Sequence, residues 1–126
     1  MADEENRDEG AEKGRSERRW TLEGARAVMS DVRSRTERAV QEVDRLAARR
    51  DALSPAGPER AALEGRIEEA VARWAREMEA LGLEVKGLWL VDFDNGSGYY
   101  CWKWPEEQLE FFHGYDEGFS GRTRIQ

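Results

Sequence analysis

Residues 83–104 read LEVKGLWLVDFDNGSGYYCWKW, and the first half of this stretch alternates apolar and polar positions. Leu83, Val85, Val91 and Phe93 all occupy odd-numbered positions. This period of two is typical of a β-strand with one buried face. The DNGSG segment at 94–98 favours a turn, because Asp, Asn and Gly tolerate positive φ. The stretch therefore predicts a strand over residues 83–93 and a second, antiparallel strand over residues 99–104.

The chain after residue 104 extends this sheet. Pro105 opens a second turn, and residues 109–115 form the predicted third strand, which completes an antiparallel meander over residues 83–115. Residues 116–126 contain glycines on both sides of an aromatic residue and are predicted to form a C-terminal loop and tail. The predicted structural anchors are Trp102, Gly118, Phe119 and Gly121.

The chain before residue 83 has a period near 3.5 instead of two. Apolar positions recur with alternating gaps of four and three, as in a heptad seam, first up to Leu53 and again from Leu63 to Leu81. The intervening SPAGP segment at 54–58 ends one helix and starts the next. These patterns predict helices over residues 20–53 and 58–81, joined as an antiparallel hairpin with coiled-coil-like packing. The predicted fold is α+β, with the long helical hairpin packed on the three-stranded antiparallel β-meander.

The overall charge limits the partners. The 126 residues carry 20 Lys and Arg against 27 Asp and Glu, a net charge of -7. An acidic chain argues against a nucleic-acid partner, which requires a basic face. No apolar run approaches the roughly 20 residues of a membrane span, which argues against a membrane partner. Residues 1–19 are charged without an apolar core and are predicted to be a disordered tail, which leaves one domain at 20–126.

Cys101 is the only cysteine, so the chain cannot form an intrachain disulfide. A reducing compartment is the simplest environment for such a chain. Together with the absence of a signal-peptide pattern at the N-terminus, this predicts a cytoplasmic location.

Several short motifs recur in the order known from one family. They are Thr21-Leu22-Glu23 with Ala25, Leu90-Val91-Asp92-Phe93, Cys101-Trp102, Glu106, His113, Asp116 and Gly118-Phe119-Ser120-Gly121-Arg122. Because these motifs occur in the same order, the chain resembles the bacterial DUF2203 family of unknown function. The resemblance runs from Thr21 to Arg122. The resemblance implies a shared fold but no reaction.

The chain departs from the family pattern at three places. Family members carry His-Trp-His-Glu where residues 111–114 are Phe-Phe-His-Gly, so one His and one Glu are absent. Trp89 stands where the family has Gly before its Leu-Val-Asp-Phe strand, and Asp94 stands where the family has Pro.

The motifs in the predicted meander supply a candidate ligand or metal site. Its residues are Cys101, Glu106, His113, Asp116 and Arg122. In one pairing register of the two strands Cys101 faces Phe112, and a slip of one residue places it opposite His113. A thiolate beside an imidazole can bind a transition metal or act as nucleophile and base. A transition metal is thus one possible ligand, although no cofactor is predicted from the spacing because a second Cys or His is lacking.

Structural roles for the same residues are the favoured interpretation. Cys101 is predicted to be a small buried hydrophobe, and His113 to bond a backbone carbonyl or a carboxylate. Arg122 can bind an anion with its guanidinium. We favour instead an internal ion pair that attaches the tail to the sheet, with Asp92, Glu106 or Asp116 as the partner.

Two classes of function remain open from the sequence. A helix of about 30 residues is roughly 45 Å long, whereas short strands cover about 20 Å, so part of the hairpin extends beyond the sheet. This mismatch favours an interaction or assembly module that forms a homodimer through its helices. The alternative is a small metal- or ligand-binding protein or enzyme with a site at Cys101, Glu106, His113, Asp116 and Arg122. Arginines of the first helix alternate with acidic residues, which is typical of a solvated face.

Overall fold

The computed structural model describes residues 19–126, in which two helices precede a sheet of five strands. The helices are α1 (Leu22–Asp51) and α2 (Pro58–Ala80). The strands are β1 (Glu84–Gly87), β2 (Leu90–Asp94), β3 (Tyr99–Lys103), β4 (Phe111–His113) and β5 (Thr123–Arg124), with a short 3₁₀ helix at Phe119–Gly121 between the last two. The predicted α+β class is confirmed. The tail predicted for residues 1–19 lies, apart from Arg19, outside the described residues.

Local interactions at the helix ends explain the hairpin. The Thr21 hydroxyl accepts a hydrogen bond from the Gly24 amide at 2.9 Å and so caps the start of α1. Pro58 occupies the first turn of α2, and Gly57 before it has φ 138°, a conformation that favours glycine. A connection this short returns α2 antiparallel along α1, and the buried Trp74 indole donates to the Thr36 hydroxyl at 2.8 Å between the two helices.

The prediction of three strands is wrong, because the sheet has five in the order β1-β2-β3-β4-β5. The segment predicted as one strand over residues 83–93 is a hairpin that turns at Leu88 and Trp89, and Trp89 adopts φ 59°. The segment predicted as a loop and tail also contributes β5, which pairs antiparallel with β4. The register shifts between Val85 and Gly87, and the positive φ of Trp89 lets the chain reverse where the alternating pattern indicated continuous extension.

The core lies between the helices and one face of the sheet. Trp20, Val32, Trp74, Phe93 and Trp102 all belong to it. No residue between Val40 and Arg73 does, so this distal part of the hairpin packs mainly on itself. The expected extension of the hairpin beyond the sheet is therefore present. No helix within residues 19–126 is both long and apolar enough to cross a membrane.

Candidate functional site

The strand register brings Asp92, Cys101 and His113 to one face of the sheet. Cys101 pairs with Asp92 on β2 and with Phe111 on β4, whereas His113 pairs with Tyr99. Neither predicted register is correct, but His113 lies diagonally next to Cys101 on the same face because side chains alternate along a strand. This face points away from the helices, since Val91, Phe93 and Trp102 of the opposite parity belong to the core.

The three side chains form a compact buried cluster, hereafter the Asp-Cys-His cluster. One ligand atom from each of Asp92, Cys101 and His113 lies within 4.8 Å of the other two. The residues are 1%, 0% and 3% exposed, respectively. His113 Nε2 lies 2.9 Å from Asp92 Oδ2, and His113 Nδ1 lies 2.8 Å from the Gly114 carbonyl oxygen. A sulfur, a nitrogen and an oxygen atom that can each bind a metal therefore lie close together on this buried face of the sheet.

The hydrogen-bond partners determine where the protons lie. A carbonyl oxygen only accepts, so His113 Nδ1 carries a hydrogen and donates it to Gly114. The short contact between Nε2 and Asp92 then requires one more proton between imidazole and carboxylate. Burial raises the pKa of Asp92 above its usual range, against the opposing influence of His113 and of the hydrogen bond from Cys101.

Cys101 is a protonated thiol in this arrangement. Burial, followed by the neighbouring Asp92 carboxylate, raises the pKa of the Cys101 thiol to about 12. Because the thiolate is the reactive form, a free Cys101 is not an activated nucleophile. The prediction that Cys101 is buried is confirmed.

Two carboxylate oxygens, one in the Asp-Cys-His cluster and one next to it, have no partner in the part of the chain that the structure describes. Asp92 Oδ1 and Glu84 Oε2 are buried and make no hydrogen bond within the described residues. Glu84 is the cross-strand neighbour of Asp92, and its other oxygen accepts from the Tyr99 hydroxyl at 3.0 Å and pairs with Lys86 at 3.2 Å. A buried acceptor without a donor destabilises the fold by about 1–3 kcal/mol. The face therefore has unused capacity to bind a proton donor or a cation.

Glu106 and Arg122 form a separate ion pair at the edge of this face. The two guanidinium nitrogens lie 3.2 and 2.8 Å from the two carboxylate oxygens, and the guanidinium stacks between the rings of Phe111 and Phe119. The predicted internal ion pair is confirmed, with Glu106 as the partner. Arg122 is also 4.0 Å from the Cys101 sulfur and so covers one side of the cluster.

The remaining expectations for the site have mixed outcomes. Asp116 is exposed and lies outside the cluster, whereas Trp102 is fully buried as predicted. The sequence indicates Asp92 only as a possible partner of Arg122 and does not identify Glu84 as a site residue. Both residues occupy the polar positions that alternate with the apolar ones along residues 83–93, and this is the only signal that the sequence offers for them. Whether these positions are buried near Cys101 and His113 depends on the strand register, which the sequence does not specify.

The donor set of the cluster is one that transition metals favour. Zn²⁺ binds Cys sulfur, His nitrogen and carboxylate oxygen, and metal-binding histidines typically donate their other ring hydrogen to a carbonyl or carboxylate. His113 does this through Nδ1, which leaves Nε2 directed at Asp92. Asp92, Cys101 and His113 are therefore the residues that can hold a metal.

Comparison with known proteins places the chain in a family. No curated protein and no solved structure is detectably similar to it. Residues 18–125 match the family described as "Uncharacterized conserved protein (DUF2203)". This match spans almost the whole chain and agrees with the motifs between Thr21 and Arg122, so the protein belongs to the DUF2203 family.

Proposed function

We propose that the protein binds a transition metal ion of the Zn²⁺ type through Asp92, Cys101 and His113. The observation that carries the proposal is the convergence of three different donor atoms within 4.8 Å at a fully buried position. A thiolate and an imidazole favour Zn²⁺ over Mg²⁺ or Ca²⁺, which prefer oxygen ligands.

The hydrogen bonds around the cluster support this assignment. A metal ion would replace the proton between His113 and Asp92 and the proton of the Cys101 thiol, so that uptake releases protons. The hydrogen bond from His113 Nδ1 to Gly114 already fixes the tautomer whose Nε2 can bind a metal. Asp92 Oδ1, which is buried and has no hydrogen-bond partner within residues 19–126, gives the carboxylate a second oxygen for the same ion.

The positions of the ligands favour a structural role for the ion. Asp92, Cys101 and His113 come from β2, β3 and β4, so one ion would connect three adjacent strands. All three side chains are buried, which gives a substrate no direct access. A ligand that binds only the folded state stabilises it by about 2.7 kcal/mol at a hundredfold excess over its Kd.

Metal titration tests this proposal. Chelator-treated protein is expected to bind one equivalent of Zn²⁺, to melt at a higher temperature with Zn²⁺, and to give a thiolate charge-transfer band with Co²⁺. Cys101→Ser should abolish the band. His113→Gln should weaken binding by more than about tenfold, because it removes a direct ligand, and loss of a residue that only supports a ligand already costs about 10–100-fold. Asp116→Asn is the matched control, because this exposed carboxylate lies outside the cluster. Failure of the wild-type protein to bind Zn²⁺, or equal binding by Cys101→Ser, would contradict the proposal.

Self-association is a second candidate function, supported by the part of the hairpin beyond the sheet. Arg26 and Arg33 of α1 donate hydrogen bonds to the backbone carbonyls of Leu109 and Glu106, respectively. Val40 follows Arg33 by seven residues and therefore lies on the same side of the helix. There the sheet no longer covers the helix, and Val40, Ile67 and Val71 are only half-buried. We infer that a second copy packs on this side of the hairpin. Light scattering at micromolar concentration should then give twice the mass of the chain, whereas a monomeric mass would contradict the inference.

A further inference from the structure

A second side of the hairpin forms an open groove between α1 and α2. Arg38 and Val40 are two residues apart, so they point about 200° apart around the helix, and the groove lies on the Arg38 side. One half of the groove is a depression of about 390 Å³ beside Arg38, Arg45 and Arg73. The other half is a depression of about 300 Å³ beside Arg49 and Arg66. Heptad spacing places these side chains on the same two stripes, so both depressions belong to one groove.

The charge of this groove is opposite to that of the chain. Its two halves are lined by six arginines and three glutamates, whereas the whole chain has a net charge of -7. Arg35 pairs with Glu77 at 3.3 Å, and Arg73 pairs with Glu42 at 3.1 Å. The other four arginines of the groove are Arg38, Arg45, Arg49 and Arg66. Among the described residues, no carboxylate oxygen lies within 4.0 Å of a side-chain nitrogen of these four. Arg38, Arg45 and Arg49 therefore belong to the predicted solvated face of α1, but they lack an ion pair along the helix within the described residues.

The bottom of the groove is apolar and shallow. Ala39, Ala70 and Trp74 line one half, and Ala62 and Leu63 line the other. Small side chains let a third helix approach closely, and two antiparallel helices readily extend to a bundle by such an addition. An amphipathic helix binds in a groove of this kind through one apolar stripe.

We propose that this groove binds an acidic amphipathic helix of a partner protein. The apolar stripe of that helix would pack on the alanines, and its carboxylates would face Arg38, Arg45, Arg49 and Arg66. A second copy of the chain is a poorer occupant, because a two-fold symmetric contact through this groove would place like-charged arginines against each other. The proposal is independent of metal binding, because none of the groove residues belongs to the Asp-Cys-His cluster.

Peptide binding to the full chain tests this inference. The probe is a fluorescently labelled helical peptide with Leu and Ala on one stripe and Glu elsewhere, compared with the same peptide carrying Lys in place of Glu. Anisotropy is expected to show binding of the Glu peptide only, with affinity that falls as salt rises. Arg45→Glu/Arg66→Glu should weaken binding about tenfold or more. Arg76→Glu/Arg124→Glu, which changes the net charge equally outside the groove, should leave binding unchanged.

Three outcomes would overturn the inference. The first is equal binding of the Glu peptide by both double variants. The second is tighter binding of single-stranded oligo(dT) than of the Glu peptide, which would indicate a nucleic-acid groove. The third is a dimer, seen by light scattering without peptide, that Arg45→Glu/Arg66→Glu dissociates, which would assign the groove to a second copy.

Discussion

Thr36 is a buried polar residue in the apolar seam of α1, and its hydroxyl connects the two helices. It is 0% exposed, donates to the Val32 carbonyl at 2.8 Å and accepts from the Trp74 indole at 2.8 Å. An apolar heptad pattern gives no role to a threonine at this position. The structure shows that Thr36 satisfies the buried indole N–H of Trp74, which cannot pair with water at this depth.

Replacing Thr36 should therefore destabilise the hairpin through hydrogen bonding. Thr36→Val keeps the side-chain shape but leaves the Trp74 indole N–H without an acceptor, for an expected loss of about 1–3 kcal/mol in the free energy of unfolding. Thr36→Ser is the control, because it keeps the hydroxyl and loses one methyl group, worth about 0.8 kcal/mol. Urea unfolding followed by tryptophan fluorescence measures both. A Thr36→Val protein as stable as the wild type would show that the hydrogen bond contributes nothing.

The candidate site shows what single residues reveal before a structure is known. Cys101, His113, Glu106 and Arg122 were identified from rare residues at fixed offsets, and the structure places two of them in the cluster and two in the adjoining ion pair. Asp92 was missed as a cluster member because its role depends on pairing with Cys101 across β2 and β3. A carboxylate in a strand is usually solvated, and only the register shows that this one is buried beside a thiol and an imidazole.

Among the elements, the helices were predicted more accurately than the strands. A seam over many turns repeats its pattern, and the SPAGP segment marks the loop, so both helices end within two residues of expectation. The β1–β2 hairpin lacks an Asn-Gly or Asp-Gly turn, and the alternation continues through it. Trp89 at φ 59° makes the turn instead, and its ring packs on Trp74 with a centroid distance of 4.9 Å. Tertiary packing thus selects a backbone conformation that the residue type disfavours.

The fifth strand depends on the same kind of long-range information. β5 has two residues, too few for a recognisable alternation, and it exists because Thr123 and Arg124 pair with Phe112 and Phe111 at the edge of β4. Arg122 positions this segment through its ion pair with Glu106. The expected attachment of the tail to the sheet thus also produces an additional strand.

At the scale of the whole molecule, the two proposed sites belong to different parts of the structure. The Asp-Cys-His cluster lies on the sheet face turned away from the helices, whereas most of the groove is formed by the distal part of the hairpin. The core shared by helices and sheet lies between these parts and contains no residue between Val40 and Arg73. Metal binding should consequently not require the distal hairpin.

A shortened hairpin tests this separation. Replacing residues 44–66 with a short Gly/Ser linker removes Arg45, Arg49 and Arg66 but retains the contact between Thr36 and Trp74 and the whole sheet. We expect lower helix content by circular dichroism and lower stability, because buried Leu46 and Leu63 are lost. The variant should nevertheless unfold cooperatively, bind one equivalent of Zn²⁺ and no longer bind the acidic peptide. A folded variant that fails to bind Zn²⁺ would show that the hairpin supports the cluster, and one that still binds the peptide would place the docking site elsewhere.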